Sequence, residues 1–166
     1  MDPQDSQSSD PAAHPPVNMN ISLLYAGQLY AQTIPTAATV GEVKLLLHER
    51  FDIPLERVEL HLNRLPLSDP LPDAMNMLDV YPHLNGKNEL CLYKKIRVWI
   101  KTSSDEQYSL FVNEKHNVGR LKMMLNAKYG LDTMNKQLQF PENRVLDNGA
   151  LLWIYGIREE NQLYLK

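Results

Sequence analysis

The sequence predicts an α+β protein built from two consecutive ββαββ domains, each a mixed sheet with one helix packed across it. Three observations predict this. The first is an internal repeat: Thr39-Val40-Gly41-Glu42-Val43-Lys44-Leu45-Leu46-Leu47 lies over Asn117-Val118-Gly119-Arg120-Leu121-Lys122-Met123-Met124-Leu125 at an offset of 78. With the same offset Phe51 falls on Tyr129, Ile53 on Leu131, Leu60 on Leu138 and Leu62 on Phe140; later the offset slips to 73, where Leu90 and Leu92 meet Leu163 and Leu165. A constant offset followed by loop-sized slips marks a duplicated unit, because chance helix periodicity would not keep the flanking strands in step. The second is that the apolar period changes from two to 3.6 and back in the same order in both copies. The third is size: 166 residues with 43% apolar content suffice for two small cores.

The elements follow in order. Residues 1–18, rich in Ser, Pro, Asp and Ala, have almost nothing to bury and read as a disordered acidic tail. Residues 19–93 form the first domain and 94–166 the second. Ile21, Leu23 and Tyr25, then Ile96, Val98 and Ile100, alternate as strands do. A second extended segment closes a hairpin, ending near Ile34 in one copy and running through Tyr108, Leu110 and Val112 in the other. Thr39 and Asn117 are N-cap residue types, and Val40, Val43, Leu47 and Val118, Leu121, Leu125 share one helix face at i, i+3, i+7. Asp52-Ile53-Pro54 and Gly130-Leu131-Asp132 stop the helices. A short strand (Val58, Leu60, Leu62; Leu138, Phe140), an irregular stretch and a last strand (Leu90, Leu92; Leu163, Leu165) complete each copy.

Composition excludes several classes. The net charge of −3 divides into three acidic groups and no Lys or Arg over 1–18, 6 basic against 9 acidic over 19–94, and 11 basic against 8 acidic over 95–166. A polycation that coats nucleic acid is therefore not expected, and aromatic residues are not interleaved with the basic groups of the second copy. One cysteine, Cys91, forms no internal disulfide, and no apolar run approaches the roughly 20 residues of a membrane span. A cytoplasmic or nuclear protein, with no membrane association, is the expectation.

The second copy resembles a ubiquitin-like β-grasp domain over its length. The resemblance rests on the opening strand Ile96-Arg97-Val98-Trp99-Ile100-Lys101-Thr102, Val118-x-x-Leu121-Lys122, Leu138-Gln139-Phe140, Asp147-Asn148-Gly149 and Tyr155-Gly156-Ile157. The first copy carries Thr39-Val40-x-x-Val43-Lys44, Ile53-Pro54, Leu60-His61-Leu62 and Tyr81. Conjugated members of that family end in Gly-Gly, whereas the seven glycines here include no adjacent pair and the chain as given ends Leu163-Tyr164-Leu165-Lys166. The resemblance also implies a binding patch on the open sheet face, centred here on His61 and Gln139 and flanked by Cys91 and Tyr164. A polar centre is a poor anchor for generic ubiquitin receptors.

Further binding candidates are the surplus apolar pairs of the helices, Leu45-Leu46 and Met123-Met124. Arg120, Lys122, Lys128 and Lys136 offer a basic surface for an acidic partner, including charge-driven self-association. Only Tyr93, Lys94 and Lys95 separate Leu92 from Ile96, a span of roughly 13 Å at about 3.3 Å per residue, so the domains must nearly touch. Tyr93, Lys94, Lys95, Trp99 and Trp153 are the interdomain candidates. The histidines His14, His48, His61, His83 and His116 show no ligand spacing, so neither a metal nor another cofactor is expected, and Cys91 reads as a plain strand residue facing away from the core. With no catalytic constellation, the expected function is a non-enzymatic adaptor or scaffold for protein partners. The alternatives are a ubiquitin-like modifier truncated before its Gly-Gly tail, and the regulatory or targeting region of a larger protein of the ubiquitin–proteasome or signalling machinery.

Overall fold

The computed structural model describes residues 17–64, 69–84 and 86–166. The predicted tail falls mostly outside them, and Asn18 at its end already opens the first strand.

The first half runs β1 (Asn18–Tyr25), β2 (Gln28–Pro35), α1 (Val40–Phe51), β3 (Val58–His61), the single-turn α2 (Met77–Val80) and β4 (Glu89–Lys94). The second runs β5 (Ile96–Thr102), β6 (Gln107–Val112), α3 (Val118–Tyr129), β7 (Leu138–Gln139) and β8 (Gln162–Leu165). Each half makes one four-stranded mixed sheet, ordered β2-β1-β4-β3 and β6-β5-β8-β7. In both, the first and last strands run parallel and the other neighbours antiparallel. Ala26 and Gly27, both at positive φ, form the two-residue turn that suits the twist of the first hairpin.

The helix faces are those the spacing predicts: Val40, Val43 and Leu47, and Val118, Leu121 and Leu125, are at most 1% exposed. They close two separate cores, the first against Leu23, Ile34, Leu60 and Leu90, the second against Ile100, Leu110, Leu138 and Leu163. Thr39 caps α1 in a reciprocal box with Glu42, and the Asn117 side chain accepts from the Arg120 N–H at 2.8 Å. Asp52 and Gly130 end the helices in the left-handed conformation.

The repeated Val-Gly has a physical cause. A later loop docks on the first turn of each helix, so that its carbonyls take up N–H groups that have no partner within the helix. Val40 and Gly41 donate to Met75 and Asp73 at 2.8 and 2.9 Å; Val118 and Gly119 donate to Ala150 and Asn148 at 3.0 and 2.9 Å. A Cβ on either glycine would sit 3.3 Å from that loop carbonyl. Glycine is needed for this close approach. Gly41→Val and Gly119→Val are each expected to destabilise the chain by about 1–3 kcal/mol through overpacking, whereas Met123→Ala, on the solvent side of α3, should change stability by less than about 0.5 kcal/mol. Urea unfolding of the three variants checks this.

Candidate functional site

Period two places Val58 and Leu60 of β3 in the first core and turns Glu59 and His61 to the opposite face of the sheet. Yet all four are buried, Glu59 at 6% and His61 at 2% exposure. The cover comes from the second half: the turn after β6, with Asn113 at 1% and His116 at 5% exposure, lies against them. That turn is held by its own backbone and by the Asn113 side chain, since the His116 N–H donates to the Asn113 carbonyl at 2.9 Å and the Lys115 N–H to Asn113 Oδ1 at 3.0 Å. The Leu152 N–H donates to the His116 carbonyl at 2.9 Å, tying the turn to the second domain.

Glu59 Oε1 is the focus. His61 Nε2 lies 2.6 Å from it, Asn113 Nδ2 donates to it at 3.1 Å, and His116 Nε2 stands 3.7 Å away. The two imidazoles meet edge to face, 5.7 Å between centroids at 80°, and Tyr93 packs against His61 at 5.4 Å and 81°. Burial opposes ionisation of Glu59, but hydrogen bonds from His61 and Asn113 and the nearby imidazoles outweigh it and draw its pKa down to about 2. Burial pulls His116 down to about 4 in spite of the Glu59 charge, so its ring is neutral at pH 7. Neither His116 nitrogen has a hydrogen-bond partner among the described residues. A buried polar atom left in that state costs about 1–3 kcal/mol.

Around this centre the halves make further contacts. Arg57 pairs with Glu159, and its guanidinium lies 5.0 Å from the Phe111 ring centroid. Arg120 Nη2 reaches Asp69 at 2.7 Å, and the Lys95 N–H donates to the Arg57 carbonyl at 2.7 Å.

The predicted site residues separate on these grounds. His61 is corrected from the centre of an open face to a buried interdomain group, because the second half covers that side of β3. Its repeat equivalent Gln139 is half-buried and accepts from the Asn143 N–H, and Tyr164 beside it is half-buried. Leu45, Leu46 and Met123 are exposed at 48%, 39% and 72%, whereas Met124 packs on the second core. Arg120 is turned into the Asp69 contact, leaving Lys128 and Lys136 exposed and Lys122 half-buried. Tyr93 and Lys95 are half-buried, and Lys94 is exposed. Trp99 donates to Glu160 in its own half, and Trp153 lies under Lys115 Nζ at 4.1 Å. Cys91 faces away from the core but is 2% exposed, and burial together with the Glu89 charge pushes its thiol up to about 11, well away from a reactive thiolate.

Two clefts occupy equivalent places in the halves. One is lined by Gly41, Lys44, Leu45, Leu55 and Asp73, the other by Gly119, Arg120, Met123, Asn148 and His116. Each lies where the docking loop meets the helix, with one exposed apolar side chain of the helix at its wall. Among the described residues no helix is long and apolar enough to cross a membrane. No known family profile matches the chain, and no curated protein matches it significantly.

The buried cluster sets the acid sensitivity. Both Glu59 and His116 have lower pKa values folded than unfolded, so the unfolded chain binds more protons and stability falls as pH falls. The His116 share is full above about pH 6.5 and is lost towards about 4; the Glu59 share is full above about 4.5 and is lost towards about 2. Urea midpoints across pH 3–8 should therefore decline below about pH 6.5, and His116→Asn should flatten the part of the decline between about 6.5 and 4.

Proposed function

We propose that the chain is a non-enzymatic protein–protein interaction module made of two ubiquitin-like β-grasp units held as one body, acting as an adaptor or scaffold. The β-grasp reading is supported by the ββαββ order and the shared strand order of the two sheets, joined to the motifs that resemble ubiquitin-like domains. The observation that carries the functional reading is the pair of equivalent clefts, each walled by an exposed apolar residue at the same repeat position, Leu45 and Met123. Apolar side chains of this kind, beside polar groups that fix orientation, suit short apolar segments of protein partners. The Met123 side chain adapts to more than one such segment.

Two weak sites on one body reinforce each other through effective concentration. The contacts that fix the halves, Arg57–Glu159 and the Glu59 cluster, hold their spacing constant.

The test is selection of peptides from a displayed random library on the full chain, followed by fluorescence polarisation with Leu45→Asp, Met123→Asp and the double variant. Each single variant is expected to weaken the peptides of its own cleft by about tenfold or more, the loss of a central apolar anchor, and the double variant to bind none. Binding unchanged in the double variant would place the interaction on another face.

A further inference from the structure

We propose that Glu59, His61 and His116 form a binding site for a divalent transition-metal ion, with Zn2+ the ion that suits it, and that the ion bridges the two halves of the chain. The three donor atoms, one from each residue, lie within 4.8 Å of one another. All three residues are at least 94% buried. Two imidazoles and one carboxylate are a donor set that zinc accepts, at metal–ligand distances of about 2.0–2.2 Å. A group of atoms already this close needs only small side-chain movements to surround one ion.

The independent observation is His116. Its side chain is 4% exposed, its Nε2 faces Glu59 Oε1 at 3.7 Å, and neither nitrogen makes a hydrogen bond. A gap of 3.7 Å is too long for a hydrogen bond and close to the separation of two ligands on one tetrahedral ion. Imidazole binds a metal through a ring nitrogen that is free of its proton, and His116 Nε2 has no hydrogen bond to give up for the ion.

His61 would exchange its hydrogen bond with Glu59 for the ion, taking the tautomer with the proton on Nδ1. The Asn113 amide, donating to Glu59 Oε1 at 3.1 Å, would hold the carboxylate in place from outside. Cys91 stands opposite His61 in the β3–β4 ladder, but its sulfur is not among the converging atoms.

Burial selects the geometry. An octahedral ion would need three more ligands in a group whose members are 2–6% exposed. A tetrahedral ion needs one, which a single water would supply. Because Glu59 and His61 come from β3 and His116 from the turn after β6, binding would clamp the halves together.

The test is titration of the chelator-stripped full chain with Zn2+ against a chromophoric competitor, paired with thermal unfolding. Expected are one tight site per chain, a rise in melting temperature on loading, and a tetrahedral ligand-field spectrum when Co2+ replaces Zn2+. His61→Asn and His116→Asn should each lower the affinity at least tenfold, and Cys91→Ser should leave it unchanged. His116→Asn removes a nitrogen that no protein group satisfies, so a folded variant is expected and is checked by its amide NMR spectrum. The proposal is overturned if no site of one ion per chain is found, if folded His116→Asn binds as wild type does, or if Cys91→Ser loses the site.

Discussion

Everything in the arrangement of the two halves turns on one buried carboxylate. Glu59 sits on the side of β3 that the first domain leaves uncovered, and an ionised carboxylate there is tolerable only if other groups replace the water it loses. Its own domain supplies one, His61, two residues along the same strand. The other, Asn113, comes from the second domain, and the His116 ring packs beside the pair. Lifting the second half away would strip Glu59 of its Asn113 hydrogen bond as well as expose apolar surface. The buried charge thus makes the contact specific in orientation, which apolar burial alone would not.

The surrounding contacts act differently. Arg57 with Glu159 and Arg120 with Asp69 are partly exposed, with side-chain exposures of 16% and 39% and of 29% and 88%. Pairs of that kind contribute modestly in solvent. They steer the approach and limit rotation, and Arg57 also lays its guanidinium on Phe111. Within each half, a loop is docked on the helix N-terminus, where carbonyls from a distant segment complete the first turn. The clefts at Leu45 and Met123 are by-products of that docking: a loop close enough to bond the helix backbone leaves a recess beside it.

Much of the fold was legible because its signals are local and occur twice. The i, i+3, i+7 faces, the Thr39 and Asn117 caps and the strand alternation of Ile21 and Leu23 each depend on neighbours within a turn or a strand. The short helix Met77–Val80 lay hidden in the irregular stretch, since a single turn is too brief to show a period. The buried cluster was hidden for a different reason. Alternation says that His61 and Cys91 point away from their own core, but it cannot say that something else covers them. Spacing along the chain does not show the cluster either, because His116 reaches His61 across 55 positions of sequence and a domain boundary. The signal available was the polar pair Glu59-x-His61 on the face opposite Val58 and Leu60, where strand alternation alone would leave two polar groups outside the core.

The contact between the copies is head to tail: a sheet face of the first meets a turn of the second. Such heterologous contacts between like units can in principle repeat without end and build filaments. Here the complementary chemistry occurs only once. At the positions of Glu59 and His61 the second copy has Gln137 and Gln139, and at the positions of Asn113 and His116 the first copy has Pro35 and Ala38. The second copy therefore offers no acidic face for another turn to cover, and the first offers no imidazole to cover one. Divergence between the two copies has made a contact that pairs a first copy only with a second copy, since two like copies have no matching chemistry at these positions.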